Sequence, residues 1–151
     1  MDHFDRKILA ELQDDGRLSL TDLAERVGLS LSPCHRRVRA LEQRGVIRGY
    51  RADLDATALG LNFSALVFIT LENSKVVPAF EKAISLLENV IQAQRLFGDP
   101  DYLLHVVVKD LPAFQQLYDA RLAALPGMQR MTSTLVMKDV VINRSLTFAL
   151  A

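Results

Sequence analysis

The stretch Ser30-Leu31-Ser32-Pro33-Cys34-His35-Arg36-Arg37-Val38-Arg39-Ala40-Leu41-Glu42-Gln43-Arg44-Gly45-Val46-Ile47-Arg48-Gly49-Tyr50 decides how the rest of the chain is read. Ser32 and Pro33 predict a helix start: a serine oxygen accepts from an unpaired first-turn N–H, and proline at the first helical position has no N–H to waste. Gly45 predicts its end. At about 100° per residue, Cys34, Val38 and Leu41 fall on one side and Ser32, Arg36, Arg39 and Gln43 roughly opposite. Arg37 and Arg44 share one flank, and His35 shares the other with Glu42. From Cys34 to Arg51 six arginines stand against one acid, Glu42.

Upstream, Phe4, Ile8, Leu9 and Leu12 recur at helical spacing and predict a first helix stopped near Asp15-Gly16. Ser19 and Asp22 have capping-box-like spacing, and Leu20, Leu23, Ala24 and Val27 predict a short second helix ending at Gly28. Two helices joined by a brief glycine-containing turn and braced by a preceding helix outline a helix-turn-helix. Arginine's planar fork of donors suits phosphates and guanine edges. A merely solvated helix face would more often mix Lys and Glu at spacings that pair them. The ridge therefore predicts contact with double-stranded DNA, with Ser32, His35, Arg36 and Arg39 at base edges and Arg37, Arg48 and Arg51 at phosphates. Downstream, Val46 to Ala52 alternates apolar or aromatic with basic residues and predicts an extended strand. Residues 53–62 lose the basic character and read as a linker, which separates a domain of residues 1–52 from one of 63–151.

In the second domain, residues 63–71 (FSALVFITL) predict a buried strand. A helix follows from Val77 to Glu88, then a strand from Val90 to Phe97. Gly98-Asp99-Pro100-Asp101 is a strong turn signal leading into a strand from Tyr102 to Val108. Leu111 to Leu125 predicts a helix stopped by Pro126-Gly127, and Met128 to Val141 the last strand region. The order βαββαβ is a split double βαβ unit, and the chain as a whole is α+β. This architecture serves many functions, so it names none.

The chain has 151 residues, with 18 Lys+Arg against 18 Asp+Glu and 50% hydrophobic residues, the composition of a folded globular protein. Its neutrality gives no global sign of a polyanionic partner; the positive charge is local. One cysteine excludes an internal disulfide framework and fits a reducing compartment. No segment is apolar over the length that spans a bilayer, and the acidic start Met1-Asp2-His3-Phe4-Asp5 lacks a signal peptide's basic flank and apolar run. The expectation is a cytoplasmic protein without a membrane partner. Catalytic readings are weak. Cys34 and His35 are adjacent on a helix and point about 100° apart, so they do not pair as thiolate and imidazole. His3, His35 and His105 are scattered without ligand spacing, and there is no phosphate loop or nucleophile elbow. Neither an enzyme, a cofactor nor a metal is expected, and RNA binding would want exposed strand aromatics that the pattern places inside.

The stretch from Ser30 to Tyr50, preceded by Asp5-Arg6-Lys7-Ile8-Leu9 and Gly16-Arg17-Leu18-Ser19, closely resembles the Lrp/AsnC, or feast/famine, family of transcription regulators. The resemblance continues through Leu59-Gly60, the Gly98-x-x-Asp101-Tyr102 turn, Leu125-Pro126-Gly127 and Thr132-Ser133-Thr134, covering residues 2 to about 138. It implies an N-terminal winged helix-turn-helix and a C-terminal ferredoxin-like RAM domain that senses a small effector, usually an amino acid. It further implies assembly into dimers at least, and often tetramers, octamers or larger discs. By resemblance, Gly98, Asp99, Asp101 and Tyr102 are the effector-site residues, with Thr132, Ser133 and Thr134 as neighbours on the last strand. The physics is compatible: a tight turn presents N–H groups to a carboxylate, and an aspartate answers an α-ammonium. Gly-Asp-Pro-Asp is equally an ordinary hairpin turn, and an effector-independent or architectural DNA-binding protein, or a small-molecule-binding or enzymatic ferredoxin-like protein, stays open as an alternative. The tail Ile142-Asn143-Arg144-Ser145-Leu146-Thr147 departs from the family's pattern, in which a Thr pair precedes a Leu-Pro.

Overall fold

The computed structural model describes residues 1–150; Ala151, the last residue of the expected second domain, lies outside them. The chain forms two compact units, one of residues 1–53 with the segment from residue 140 onward, the other of residues 54–139.

The first unit is built on α1 (His3–Asp14), α2 (Leu20–Val27) and α3 (Leu31–Gln43). A reciprocal box caps α1: the Asp5 N–H donates to the Asp2 carboxylate at 3.0 Å, and the Asp2 N–H to Asp5 at 3.3 Å. Its end departs from expectation, because the cap is an extended Asp15 and Gly16 does not take positive φ. Ser19 caps α2 through the Asp22 N–H at 3.1 Å, and Gly28 closes it at φ 76°. The expected start of α3 is corrected by two residues. Ser30 stands at the cap and Leu31 opens the helix, which puts Ser32 and Pro33 inside the first turn, where a missing N–H is still harmless. Ile8, Leu23, Ala24, Val27, Cys34, Val38 and Leu41 form the core, with Leu9, Leu12, Leu18, Leu29 and Ile47 packed around it.

Val46–Ala52 joins no ladder, so the expected strand is not formed. The N–H groups of Val46 and Ile47 both reach the Leu41 carbonyl, at 2.9 and 3.2 Å, folding the chain back over the end of α3. The alternation instead serves Ile47, which packs on the core. The tail, expected in the second domain, groups with the first unit, where the Leu146 N–H donates to Gln13 Oε1 at 2.9 Å.

The second unit has β1 (Phe63–Leu71), β2 (Val90–Arg95), β3 (Tyr102–Val108) and β4 (Met128–Leu135), paired antiparallel in the order β2-β3-β1-β4. This is the expected βαββαβ unit. A short 3₁₀ turn, Ser74–Val76, leads into α4 (Val77–Ser85). α5 (Leu111–Leu117) passes into a wider π turn, Tyr118–Leu122, so the helix expected as far as Leu125 is not one regular element. The last strand stops at Leu135, where its ladder with β1 ends opposite Ala65, rather than at Val141. Alternate residues of the two central strands, Ala65, Val67, Ile69 and Leu71 with Tyr102, Leu104, Val106 and Val108, share a buried core with Phe80, Ile84, Leu87, Phe114, Leu122 and Leu125. The residues between them define the opposite face. There the register sets Phe68 against Leu103 and Thr132, and Leu66 against His105 and Thr134. No helix of the described chain is long and apolar enough to cross a membrane.

Candidate nucleic-acid and effector sites

α3 presents its polar ridge outward because Cys34, Val38 and Leu41 are fixed inward against α1 and α2. Ser32, His35, Arg36 and Arg39 are all exposed, and so are Arg48 and Arg51 on the segment that follows. Glu42, the one acid in the run, accepts a hydrogen bond from the Tyr50 hydroxyl at 3.1 Å. Burial first, and then this carboxylate, hold the Tyr50 hydroxyl above its ordinary pKa, so it stays a donor. Glu42 is thereby turned to a neutral partner, and the ridge arginines keep their charge for an outside ligand.

Arg37 is the exception and leaves the group assigned to phosphates. Its guanidinium lies 2.8 Å from Asp2 and 2.8 Å from Asp5, and 5.5 Å from the centre of the Phe4 ring. It ties α3 to the start of α1. The Asp5 N–H and then Arg37 keep the Asp2 carboxyl below its usual range, while Asp5 and Asp2 raise Arg37. This pairing needs α1 and α3 folded together, so helical spacing within α3 alone could not reveal it. Arg48 and Arg51 line a groove of about 760 Å³ together with Tyr50, Leu9, Leu12 and the tail residue Leu146.

In the second unit, the turn between β2 and β3 faces a register shift in the β1–β4 ladder. Thr70 pairs with Arg130 and Leu71 with Met128, which leaves Gln129 as an extra residue on β4. Asp101 holds the turn against this bulge: its carboxylate accepts the Leu71 N–H at 2.7 Å, and its own N–H donates to the Ile69 carbonyl at 2.9 Å. Thr70, Gly98, Asp99, Asp101, Gln129 and Arg130 then line one open hollow of about 500 Å³. Arg130 donates through Nη2 to both oxygens of Asp99, at 3.0 and 3.1 Å, and the Thr70 hydroxyl donates to Asp99 at 3.0 Å.

Gly98, Asp99 and Asp101 are thus brought together as the sequence expected, but Tyr102 is not among them. It is 2% exposed, packs on Phe80 at 4.7 Å between ring centres, and donates its hydroxyl to Glu81 at 2.7 Å. Burial first, and then Glu81, push its pKa up to about 12. The correction follows from strand parity, since 102, 104, 106 and 108 alternate onto the helix-covered face. Thr132 and Thr134 lie on the opposite face and Ser133 between them on the edge strand; none lines the hollow. Sequence reasoning missed Thr70, Gln129 and Arg130. A signal for Arg130 was present, because it is the one charged residue of β4.

Comparison with known proteins bears on both units. A model described as winged helix-turn-helix DNA-binding matches residues 1–48, and one described as Lrp/AsnC ligand binding domain matches residues 64–146. The Bkd operon transcriptional regulator of Pseudomonas aeruginosa is 42% identical over 145 residues, covering 95% of this chain and 95% of that protein. The leucine-responsive regulatory protein of Escherichia coli is 41% identical over 142 residues, 93% of this chain and 87% of that one. Among solved structures, a transcriptional regulator from Neisseria meningitidis in complex with L-Met is similar with a TM-score of 0.91 at 33% identity, over 97% of this chain and 96% of that chain.

Proposed function

The chain belongs to the Lrp/AsnC family of transcriptional regulators, and from that membership we propose how its residues divide the work. Ser32, His35, Arg36 and Arg39 read base edges in the major groove. Arg48 and Arg51 hold phosphates on either side, and Arg37 braces the domain without touching DNA. The observation that carries this reading is the exposed ridge of α3, in a run whose one acid, Glu42, is engaged by Tyr50. Because each half of the chain is electrically neutral, attraction for non-specific DNA is weak and confined to this face. The protein would act beside its DNA in the cytoplasm, and no catalytic step is assigned to it.

The second unit joins two copies. Its helix-free face carries Leu66, Phe68 and Leu103, apolar groups that a second sheet would cover, which supports a homodimer; further assembly into tetramers or octamers is what membership of the family suggests. A small effector, an amino acid as in the similar Neisseria regulator solved with L-Met, binds at the hollow beside Gly98, Asp99 and Asp101. Thr132, Ser133 and Thr134 lie farther along β4, the strand that supplies Gln129 and Arg130 to the hollow. Coupling of effector to DNA of about 1–3 kcal/mol is the usual scale.

Selection of bound duplexes from a random-sequence pool tests the reading. The expected product is a two-fold symmetric site with half-sites one helical turn, about 34–36 Å, or a multiple of it apart. Enrichment of no sequence, or of a single unsymmetrical half-site, would contradict a dimer that reads sequence through α3.

A further inference from the structure

We propose that Tyr50 is a positioning residue for sequence reading: its hydroxyl holds Glu42 away from Arg39, which stays free for a base edge, while its ring seats the segment that carries Arg48 and Arg51. This rests on the reading that α3 enters the major groove, and it gives Tyr50 a part in specificity without contact to DNA. Three observations converge. The Tyr50 hydroxyl donates to Glu42 Oε1 at 3.1 Å, eight residues away in sequence. Its ring lies beside Gly16, where a Cβ would meet Tyr50 Cδ1 at 3.7 Å, so one side chain touches both α3 and the turn after α1. Tyr50 also stands between two hollows: with Arg48 and Arg51 it lines the larger, and with His35, Arg39 and Glu42 a smaller one of about 280 Å³.

Glu42 follows Arg39 by three residues on α3, a spacing at which a carboxylate and a guanidinium on a helix surface meet and attract. Among the described residues, however, Glu42 takes its hydrogen bond from Tyr50 and makes no ion pair with Arg39. Without the phenol, Glu42 keeps its charge and loses its donor, and Arg39 is the cation at helical spacing to answer it. An arginine so paired must break that pair before it meets a guanine edge, whereas a free one exchanges only water for the base. The ring does a different job. It fixes residue 50 against the turn after α1, and Arg48 and Arg51 on either side of it are placed by the same contact. The hydroxyl therefore governs which bases are read, and the ring how tightly any duplex is held.

The test is a fluorescence-anisotropy titration of the full chain against its selected duplex and a scrambled duplex over a range of salt concentrations. The wild type is compared with Tyr50→Phe, Tyr50→Ala, the Tyr50→Phe/Glu42→Gln double variant, and Tyr50→Phe in an Arg39→Ala background. Tyr50→Phe keeps the ring and should weaken the selected duplex about 5-fold or more, with the scrambled duplex and the salt slope unchanged. Adding Glu42→Gln should regain the lost preference, because the competing charge is gone. In the Arg39→Ala background, Tyr50→Phe should cost nothing further, since the residue it protects is absent. A tyrosine that acts only through packing produces neither the rescue nor the dependence on Arg39. Tyr50→Ala removes the ring as well and should weaken both duplexes; undiminished binding of the scrambled duplex would overturn the seating of Arg48 and Arg51. Wild-type preference in Tyr50→Phe, or a loss that Glu42→Gln does not regain, would overturn the control of Arg39 while leaving the base-reading ridge intact. A wild type that prefers no sequence would overturn both.

Discussion

Leu41→Ala is expected to abolish DNA binding at physiological temperature while leaving the second unit folded. Leu41 is 1% exposed and packs among Ile8, Leu23, Val27 and Val38, so truncation removes buried methyls from a core of seven residues. Such changes cost about 2–5 kcal/mol, because the transfer energy is lost and the cavity collapses only in part. A unit of this size has little stability in reserve, since a small domain buries a smaller share of its surface. The Leu41 carbonyl also receives the Val46 and Ile47 N–H groups, so its displacement carries Arg48 with it. Urea melts followed by hydrogen exchange in each unit check the expectation: protection should fall across residues 3–43 and persist in β1 and β3. Unchanged protection in α1–α3 would show that this core is not what orients the ridge.

Gly127→Ala should damage the other unit. Gly127 has φ 65°, and a Cβ there would overlap the side chain of Val76, on the turn that opens α4. Its carbonyl also accepts the Glu72 N–H at 2.9 Å, so the backbone has little room to shift. A left-handed backbone costs an L-residue about 1 kcal/mol, and forced overpacking typically 1–3 kcal/mol more, about 2–4 kcal/mol together. The measured loss should appear in denaturant midpoints of the second unit and as weakened self-association, with the isolated affinity of α3 for a half-site intact. A variant as stable as the wild type would mean that Val76 moves aside without cost.

The motif Leu125-Pro126-Gly127 was legible as a helix stop, but the closeness of Gly127 to Val76, 51 residues away in sequence, was not. The same boundary recurs throughout the molecule. Local signals were readable where one residue does one local job: Ser19 capping α2, Gly28 closing it, and the apolar stripe that turns the α3 ridge outward. The Ser32-Pro33 start was misplaced by two residues: Ser30 holds the cap position without a side-chain hydrogen bond, and Pro33 still falls in the first turn, where its missing N–H is harmless. Val46–Ala52 has a strand's alternation, but a strand needs a neighbour and none of the described residues supplies one. Arg37 counted as a free cation until α1 brought Asp2 and Asp5 beside it. Tyr102 sat in a motif associated with ligand, yet the period-two pattern of its own strand already placed it inside. Arg130 was the converse: its place in the hollow depends on a one-residue register shift that no periodicity announces.

The division of labour along α3 is tested most directly by titrating Arg36→Ala and Arg48→Ala against a selected site and a scrambled duplex over a range of salt concentrations. Arg36→Ala should weaken the selected site by about 1–3 kcal/mol, relax preference at one base position, and leave the salt slope unchanged. Arg48→Ala should weaken both duplexes alike and reduce the slope by about 1, as one released phosphate counterion requires. Identical behaviour of the two variants, in affinity, preference and slope, would contradict a ridge that reads bases beside a flank that holds phosphates.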